Sequence, residues 1–247
     1  MPHPIQVPSD IVRNWQEMVD LLAEIMQVPS ALIMRVEAPN IKVLVASQSK
    51  GNPWERDEVA SLNGGTYCET VMETRQLLHV PDALQDDAWK SNPDIELGMI
   101  SYLGLPISWP DGEIFGTICA LDRKRNEFSE VYRKLMLHCR DASQAHLRSL
   151  VTVHSEFEQL ISALAQEVKQ SIAATVGNAQ AALRSLDCQP PHLDEVRRTL
   201  GDIIKNGNRM GAAVERMRDR SVSALPEAPF GHQGGDPGAI EPSRGEP

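Results

Sequence analysis

Aromatic residues make up only 4% of this 247-residue chain, so its core must be mostly aliphatic. Cysteine is sparse. Cys68, Cys119, Cys139 and Cys188 show no Cys-x-x-Cys spacing, and the default reading is free thiols in a reducing cytoplasm. No apolar run approaches the ~20 residues that span a bilayer. The first residues, Met1 to Pro8, carry neither the basic nor the apolar region of a secretory leader. Positive charge is short as well: 24 Lys and Arg against 34 Asp and Glu give a net charge of −10. That excludes nucleic acid or an anionic membrane as the main partner, because both demand clustered cations. Proline is absent from Asp111 to Gln189, which leaves that stretch open to long helices.

What is present falls into two patterns. Ser9-Asp10 can cap a helix over about 11–27, with Trp15, Val19, Leu22 and Met26 on one stripe. Residues 31–36 and 41–47 read as strands joined through Ala38-Pro39-Asn40. Residues 55–98 read as mixed helix and loop. Tyr102 to Asp122 reads as two antiparallel strands around Pro110-Asp111-Gly112, with Leu103, Leu105 and Ile107 facing inward. From about 129 the period becomes helical, with Leu135, Cys139, Ala142 and Ala145 recurring at three and four. Phe157, Leu160, Leu164, Val168, Ile172, Thr175, Ala179, Ala182 and Leu186 continue it. After the break at Asp187-Cys188-Gln189-Pro190-Pro191-His192, a second helix follows through Leu193, Val196, Leu200, Ile203, Ile204, Met210, Val214 and Met217. The tail from Ser221 has the composition of a disordered segment.

The wording of Tyr102-Leu-Gly-Leu-Pro-Ile-Ser-Trp-Pro-Asp-Gly-Glu-Ile-Phe-Gly-Thr-Ile-Cys-Ala-Leu-Asp122 resembles the paired strands of a GAF domain. The resemblance extends through Gly51-Asn52-Pro53, Tyr67-Cys68-Glu69-Thr70-Val71, Val80-Pro81-Asp82-Ala83 and Trp89-Lys90-Ser91-Asn92-Pro93-Asp94, over residues 10–148. It implies an α+β fold, an antiparallel sheet flanked by helices, and a small-molecule pocket over one sheet face. Cys68, Glu69, Trp89, Asn92, Asp94 and Tyr102 are the ligand-binding candidates in that region. The ligand and any cofactor stay unknown; no bilin-attachment or haem signature is evident.

Two of these candidates have a second reading. Asn92-Pro93-Asp94 is equally good as a self-capping turn. Cys68 starts a helix, where a thiol can be activated, or is simply structural. Some GAF proteins are free methionine sulfoxide reductases with cysteines near this place, but Trp89 to Ile100 contains no second cysteine. Cys119 alternates with inward strand positions and reads as core. His138, His146 and His154 are eight apart, a drift of about 80° around a helix, so they read as a solvated or interface face and not as metal ligands.

The second pattern carries a second resemblance. Leu164-Ala-Gln-Glu-Val-Lys-Gln-Ser-Ile-Ala-Ala-Thr175, with Leu193-Asp-Glu-Val-Arg-Arg198 and Asn206-Gly-Asn-Arg209, resembles the dimerisation and phosphoacceptor hairpin of sensor histidine kinases. In that family a His accepts the phosphoryl group and the following acid assists. Here Gln166 stands at the His position, Glu167 keeps the acid, and Ser171 replaces a Pro. A Gln amide nitrogen is no nucleophile, since its lone pair is delocalised. No stretch after Asp219 is long enough for an ATP-binding domain. The expectation is therefore a non-catalytic, cytoplasmic signalling protein. It has a flexible lead-in over 1–9, a GAF sensor over 10–148, a hairpin over 149–220 that pairs with a second copy as a four-helix bundle, and a disordered tail over 221–247. Its partners would be a small-molecule ligand and a histidine kinase or response regulator. The alternatives are a redox reductase using Cys68, or a remnant that only dimerises.

Overall fold

The computed structural model describes residues 5–223, and the chain divides into two units that part between Phe157 and Glu158. The first unit is built on six antiparallel strands: β1 (Ser30–Glu37), β2 (Asn40–Ala46), β3 (Val59–Ser61), β4 (Leu78–Val80), β5 (Ser101–Ser108) and β6 (Ile114–Asp122). Their spatial order is β3-β2-β1-β6-β5-β4. The expected hairpin is the β5–β6 pair. Its turn closes through Gly112 N–H donating to the Trp109 carbonyl at 2.9 Å, and Gly112 takes φ 88°, a conformation open to glycine.

β5 and β6 are central, and almost every residue in them is buried. Their alternation therefore serves two cores instead of one core and solvent. Leu103, Leu105, Ile107, Ile118 and Ala120 face the first core; Tyr102, Cys119 and Leu121 face the second. β1 divides in the same way, with Ala31 and Ile33 on one side and Leu32 and Met34 on the other.

The first core is closed by α1 (Ser9–Met26) and by α3 (Glu130–Asp187), a helix of 58 residues whose first half lies in this unit. Trp15, Val19, Leu22 and Met26 form the buried stripe of α1. Trp15 is fully buried, packs edge-on against Phe115, and donates its indole N–H to His146 Nδ1 at 2.9 Å. Of the solvated or interface face expected for the three spaced histidines, His146 takes the interface and ties the two helices together. The cap expected from Ser9-Asp10 is not used. Pro8 is the N-cap, without a side-chain bond, and its carbonyl accepts from Val12 N–H at 3.0 Å. Within the first half of α3 the buried positions are Met136, Ser143 and Leu147, whereas Ala142 and Ala145 are exposed. Two small residues next to the correct stripe mimic it in sequence. Ile5 is buried and Val7 packs on this core, so residues 5–8 join the fold where a flexible lead-in was expected.

Over the opposite face lie α2 (Tyr67–Thr74) and two short 3-10 turns, Ala83–Gln85 and Pro93–Ile95. Together with the connecting loops they cover the second core.

The second unit is a helical hairpin of the remainder of α3 and α4 (Leu193–Ser223). The break falls at the two prolines, as expected. Residues 160, 164, 168, 171, 175 and 182 of α3 turn towards α4, and the most buried positions are Ser171, Ala182, Val196, Thr199 and Ala213. The seam thus mixes small and polar side chains with the aliphatics Leu160, Leu164, Val168 and Val196. The bulky aliphatics Ile172, Val176, Leu183 and Leu186 on α3, and Leu193, Leu200, Ile204 and Val214 on α4, are exposed. The expected single stripe from Phe157 to Leu186 is in fact two, and Ile172 and Leu186 belong to the outer one. The tail expected to be disordered from Ser221 falls almost wholly outside the described residues. Among the described residues no helix is long and apolar enough to cross a membrane.

The packing of the first core predicts that Trp15→Ala lowers unfolding free energy by about 3–5 kcal/mol in urea titration. Trp15→Phe should cost less, but still more than a surface change, because His146 loses its donor.

Candidate functional site

Thr66, the N-cap of α2, starts the site: its hydroxyl accepts from Glu69 N–H at 3.4 Å. The Glu69 carboxylate reaches back to accept from the N–H groups of Gly64 and Gly65, both at 3.0 Å, and from the Thr66 hydroxyl at 3.3 Å. This is a capping box that fixes the loop before α2. α2 then places two consecutive buried residues, Tyr67 and Cys68, over the sheet.

The Tyr67 ring stacks on Tyr102 with centroids 4.8 Å apart, and the Trp89 ring lies tilted against Tyr67 at 5.1 Å. The Tyr67 hydroxyl is buried with no hydrogen-bond partner. Tyr102 folds back over Gly104, where an added Cβ would stand 2.1 Å from the Tyr102 oxygen. The absence of a side chain at 104 is what admits the ring.

Three groups converge on the Cys68 sulfur: the Thr117 hydroxyl donates at 3.4 Å, the Tyr102 hydroxyl lies at 3.4 Å, and Cys119 Sγ at 4.0 Å. The contact with the Cys119 thiol, helped by the Thr117 and Tyr102 hydroxyls, holds the Cys68 thiol below its ordinary pKa against the effect of burial. Cys119 is pushed well up, because its proton serves Cys68 and because it is buried. Burial likewise raises Tyr102.

A cavity of about 60 Å³ opens between α2 and the sheet, lined by Leu32, Met34, Ile41, Trp54, Thr66, Cys68, Asp94, Cys119 and Leu121 among others. Asp94 supplies its one carboxyl. Asn92 sets that residue in place: its side chain donates to the Gly65 carbonyl at 3.0 Å and accepts from Asp94 N–H at 2.9 Å. Burial, then the Glu69 charge, raises the Asp94 pKa to about 6, and the Tyr67 backbone N–H only partly offsets them.

Of the residues singled out in the sequence, Cys68 and Asp94 line the cavity. Tyr102 touches Cys68, and Trp89 supports Tyr67. Asn92 and Glu69 bond to loop backbone at its edge. For Asn92 the self-capping turn and the site role coexist. Thr117 and Cys119 were read as strand core only. They alternate with Leu121 on one face of β6, which was the signal that they share the Cys68 side. In the second unit, Gln166 is exposed on α3, and the Glu167 carboxylate pairs across the hairpin with Arg216 at 3.2 Å and Arg209 at 3.9 Å. Ser171 donates to the Asn206 carbonyl at 2.7 Å, across the hairpin.

The sequence model of the GAF domain matches residues 10–172. The chain belongs to the GAF domain family. Solved structures resemble it at low identity. The blue-light-absorbing form of the Thermosynechococcus elongatus PixJ GAF domain is 15% identical, over 64% of this chain and 98% of that one, with a TM-score of 0.50. The free methionine-R-sulfoxide reductase of Neisseria meningitidis, solved in complex with its substrate, is 13% identical over 59% and 82%, with a TM-score of 0.49. The GAF domain of an Acinetobacter phosphoenolpyruvate-protein phosphotransferase is 14% identical over 59% and 86%, at 0.47. No curated protein matches the chain significantly.

Asp94 gives the GAF unit a definite pH dependence. Its folded pKa lies above the ordinary value near 3.8, so between about pH 4 and 6 the folded state holds a proton that the unfolded state has released. Stability therefore falls as pH rises through this window and is level above it. The carboxyl is only half-buried, so the loss is about 1–2 kcal/mol. Asp94→Asn should remove that decline, measured as denaturation midpoints from pH 4 to 7.

Proposed function

We propose that this chain is a non-catalytic cytoplasmic signalling protein. Its GAF unit binds a small molecule over the second sheet face. Its hairpin is a degenerate relative of the histidine-kinase dimerisation domain and acts by binding, without phosphotransfer. The output is regulation of a two-component partner, a histidine kinase or a response regulator.

The observation that carries the reading is the hairpin's outer surface. Ile172, Val176, Ala179, Leu183 and Leu186 step by 4-3-4-3, the period of a helical seam. Leu200, Ile204, Gly207, Gly211 and Val214 step by the same 4-3-4-3 on α4. At about 100° per residue from Ser171 and Asn206, which face each other, both stripes turn to the same side of the antiparallel pair. A two-helix face of this period fits a second copy of itself, because a two-fold interface needs one self-complementary surface. The hairpin is therefore expected to form a four-helix bundle in a homodimer. At the phosphoacceptor position, Gln166 faces solvent without a nucleophilic nitrogen.

The GAF cavity supports a sensor role: an apolar wall, one carboxyl that changes charge near pH 6, and the unpartnered Tyr67 hydroxyl close by. The competing redox-reductase reading draws on the activated Cys68. A turnover assay with free methionine sulfoxide and a thiol reductant separates the two, and sustained turnover lost in Cys68→Ser would establish the enzyme.

Two measurements test the main proposal. Val176→Asp, on the outer stripe, should convert the dimer to monomer in light scattering and leave the GAF unit folded. An unchanged dimer would move the interface to the GAF helices. Incubation with labelled ATP should leave no acid-labile, base-stable label on the chain; clear labelling would end the non-catalytic reading.

A further inference from the structure

Cys68 and Cys119 are 51 residues apart in sequence, one on the first turn of α2 and the other within β6, yet their sulfurs are 4.0 Å apart. Both line the 60 Å³ cavity, so a molecule little larger than water can reach them without unfolding the domain. Cys139 and Cys188 lie elsewhere, on α3 and in the hairpin turn.

We propose that Cys68 and Cys119 are a peroxide-responsive thiol pair that closes an internal disulfide between α2 and the sheet. The oxidant is a small hydroperoxide. The Cys68 thiolate attacks one peroxide oxygen; an S–O bond forms, the O–O bond breaks, and the leaving hydroxide takes a proton to become water. The Cys119 thiol gives up its proton and attacks the Cys68 sulfur. The S–S bond forms, the S–O bond breaks, and a second water leaves. Two thiols lose two electrons and two protons, and one hydrogen peroxide becomes two waters.

The order of events follows from the surroundings. Cys68 has the Thr117 hydroxyl donating to it and the Tyr102 hydroxyl beside it, both at 3.4 Å, which favours its anionic form as the attacking sulfur. Cys119 is fully buried and stands on the strand as the resolving thiol. Closure needs the sulfurs to approach from 4.0 Å to about 2.05 Å. β6 is held by β1 and β5 on either side, so α2 is the element that moves. Its first turn carries Tyr67 and Glu69, and Glu69 holds the loop at Gly64 and Gly65. Oxidation thereby tightens α2 over the cavity and alters what the cavity accepts. A sensor of this design reports oxidant and ligand through one element.

The experiment treats the full, reduced chain with hydrogen peroxide, denatures it, alkylates it and reads the mass. Two of the four thiols should become unreactive, with the peptide of Cys68 linked to that of Cys119, and dithiothreitol should restore both. A Cys139→Ser, Cys188→Ser double variant should behave in the same way. In Cys119→Ser, Cys68 should instead stop at a sulfenic acid trapped by dimedone. Thr117→Val, nearly isosteric and keeping both thiols, should slow linkage several-fold, so the proposal stays testable if Cys119→Ser does not fold. Hydrogen exchange of the α2 amides should slow on oxidation. Four alkylatable thiols after peroxide, or linkage through Cys139 or Cys188, would overturn the pair. The dimer measurement is unaffected by either result, so failure here is distinct from failure of the signalling proposal.

Discussion

The burial of both faces of β1, β5 and β6 is the constraint on which the first unit depends. A sheet covered on both sides must use each alternate residue for a different neighbour, and a one-residue slip would exchange the two sets. One set meets two helices with long apolar stripes and forms a dry aliphatic core around Trp15. The other meets a short helix and loops that cannot fill the space with aliphatics. Sulfur, hydroxyl and carboxyl groups enter there, and a cavity remains. Chemistry is confined to one face because the other is fully occupied by packing. The rigid layer below, anchored by Trp15 and His146, gives the strand residues Thr117 and Cys119 a fixed position, whereas their partners on α2 rest on a capping box and two stacked rings.

Much of this was legible in the sequence, for identifiable reasons. The β5–β6 hairpin was readable because its turn residues and β-branched strands agree locally. The α1 stripe and the proline break in the second unit were readable because each is a matter of period or of a missing donor. The residues bordering the cavity were partly readable through the family's wording. What sequence did not provide was pairing across long separations. Cys119 looked like core because a buried cysteine and a buried strand residue follow the same alternation, and only the register of β6 under α2 sets it against Cys68. Gly104 carried no signal, as its role is to leave room for a ring two residues away. In α3, Ala142 and Ala145 looked like core because small residues fit either face; their neighbours Ser143 and Met136 hold it instead. The use of Pro8 as N-cap was hidden because Ser and Asp, the stronger capping residues, lie just inside the first turn.

The hairpin presents the opposite arrangement to the sheet. Its inner seam places small and polar groups among aliphatics, with Ser171, Thr199 and Ala213 buried and Glu167 bridging to Arg209 and Arg216. Exposed ion pairs of this kind contribute at most about 1 kcal/mol each. Small side chains also bury little apolar area, at about 25 cal/mol per Å². The inner seam therefore specifies which residues face each other more than it stabilises the pair. Other large aliphatics lie outside, at a regular period and on one side. The seam fixes how the two helices face each other and leaves both apolar stripes directed to the same side, which is the geometry a second hairpin requires. Gln166 is exposed and takes no part in the seam. The residue at position 166 and the outer apolar stripes are thus separable at the level of single residues.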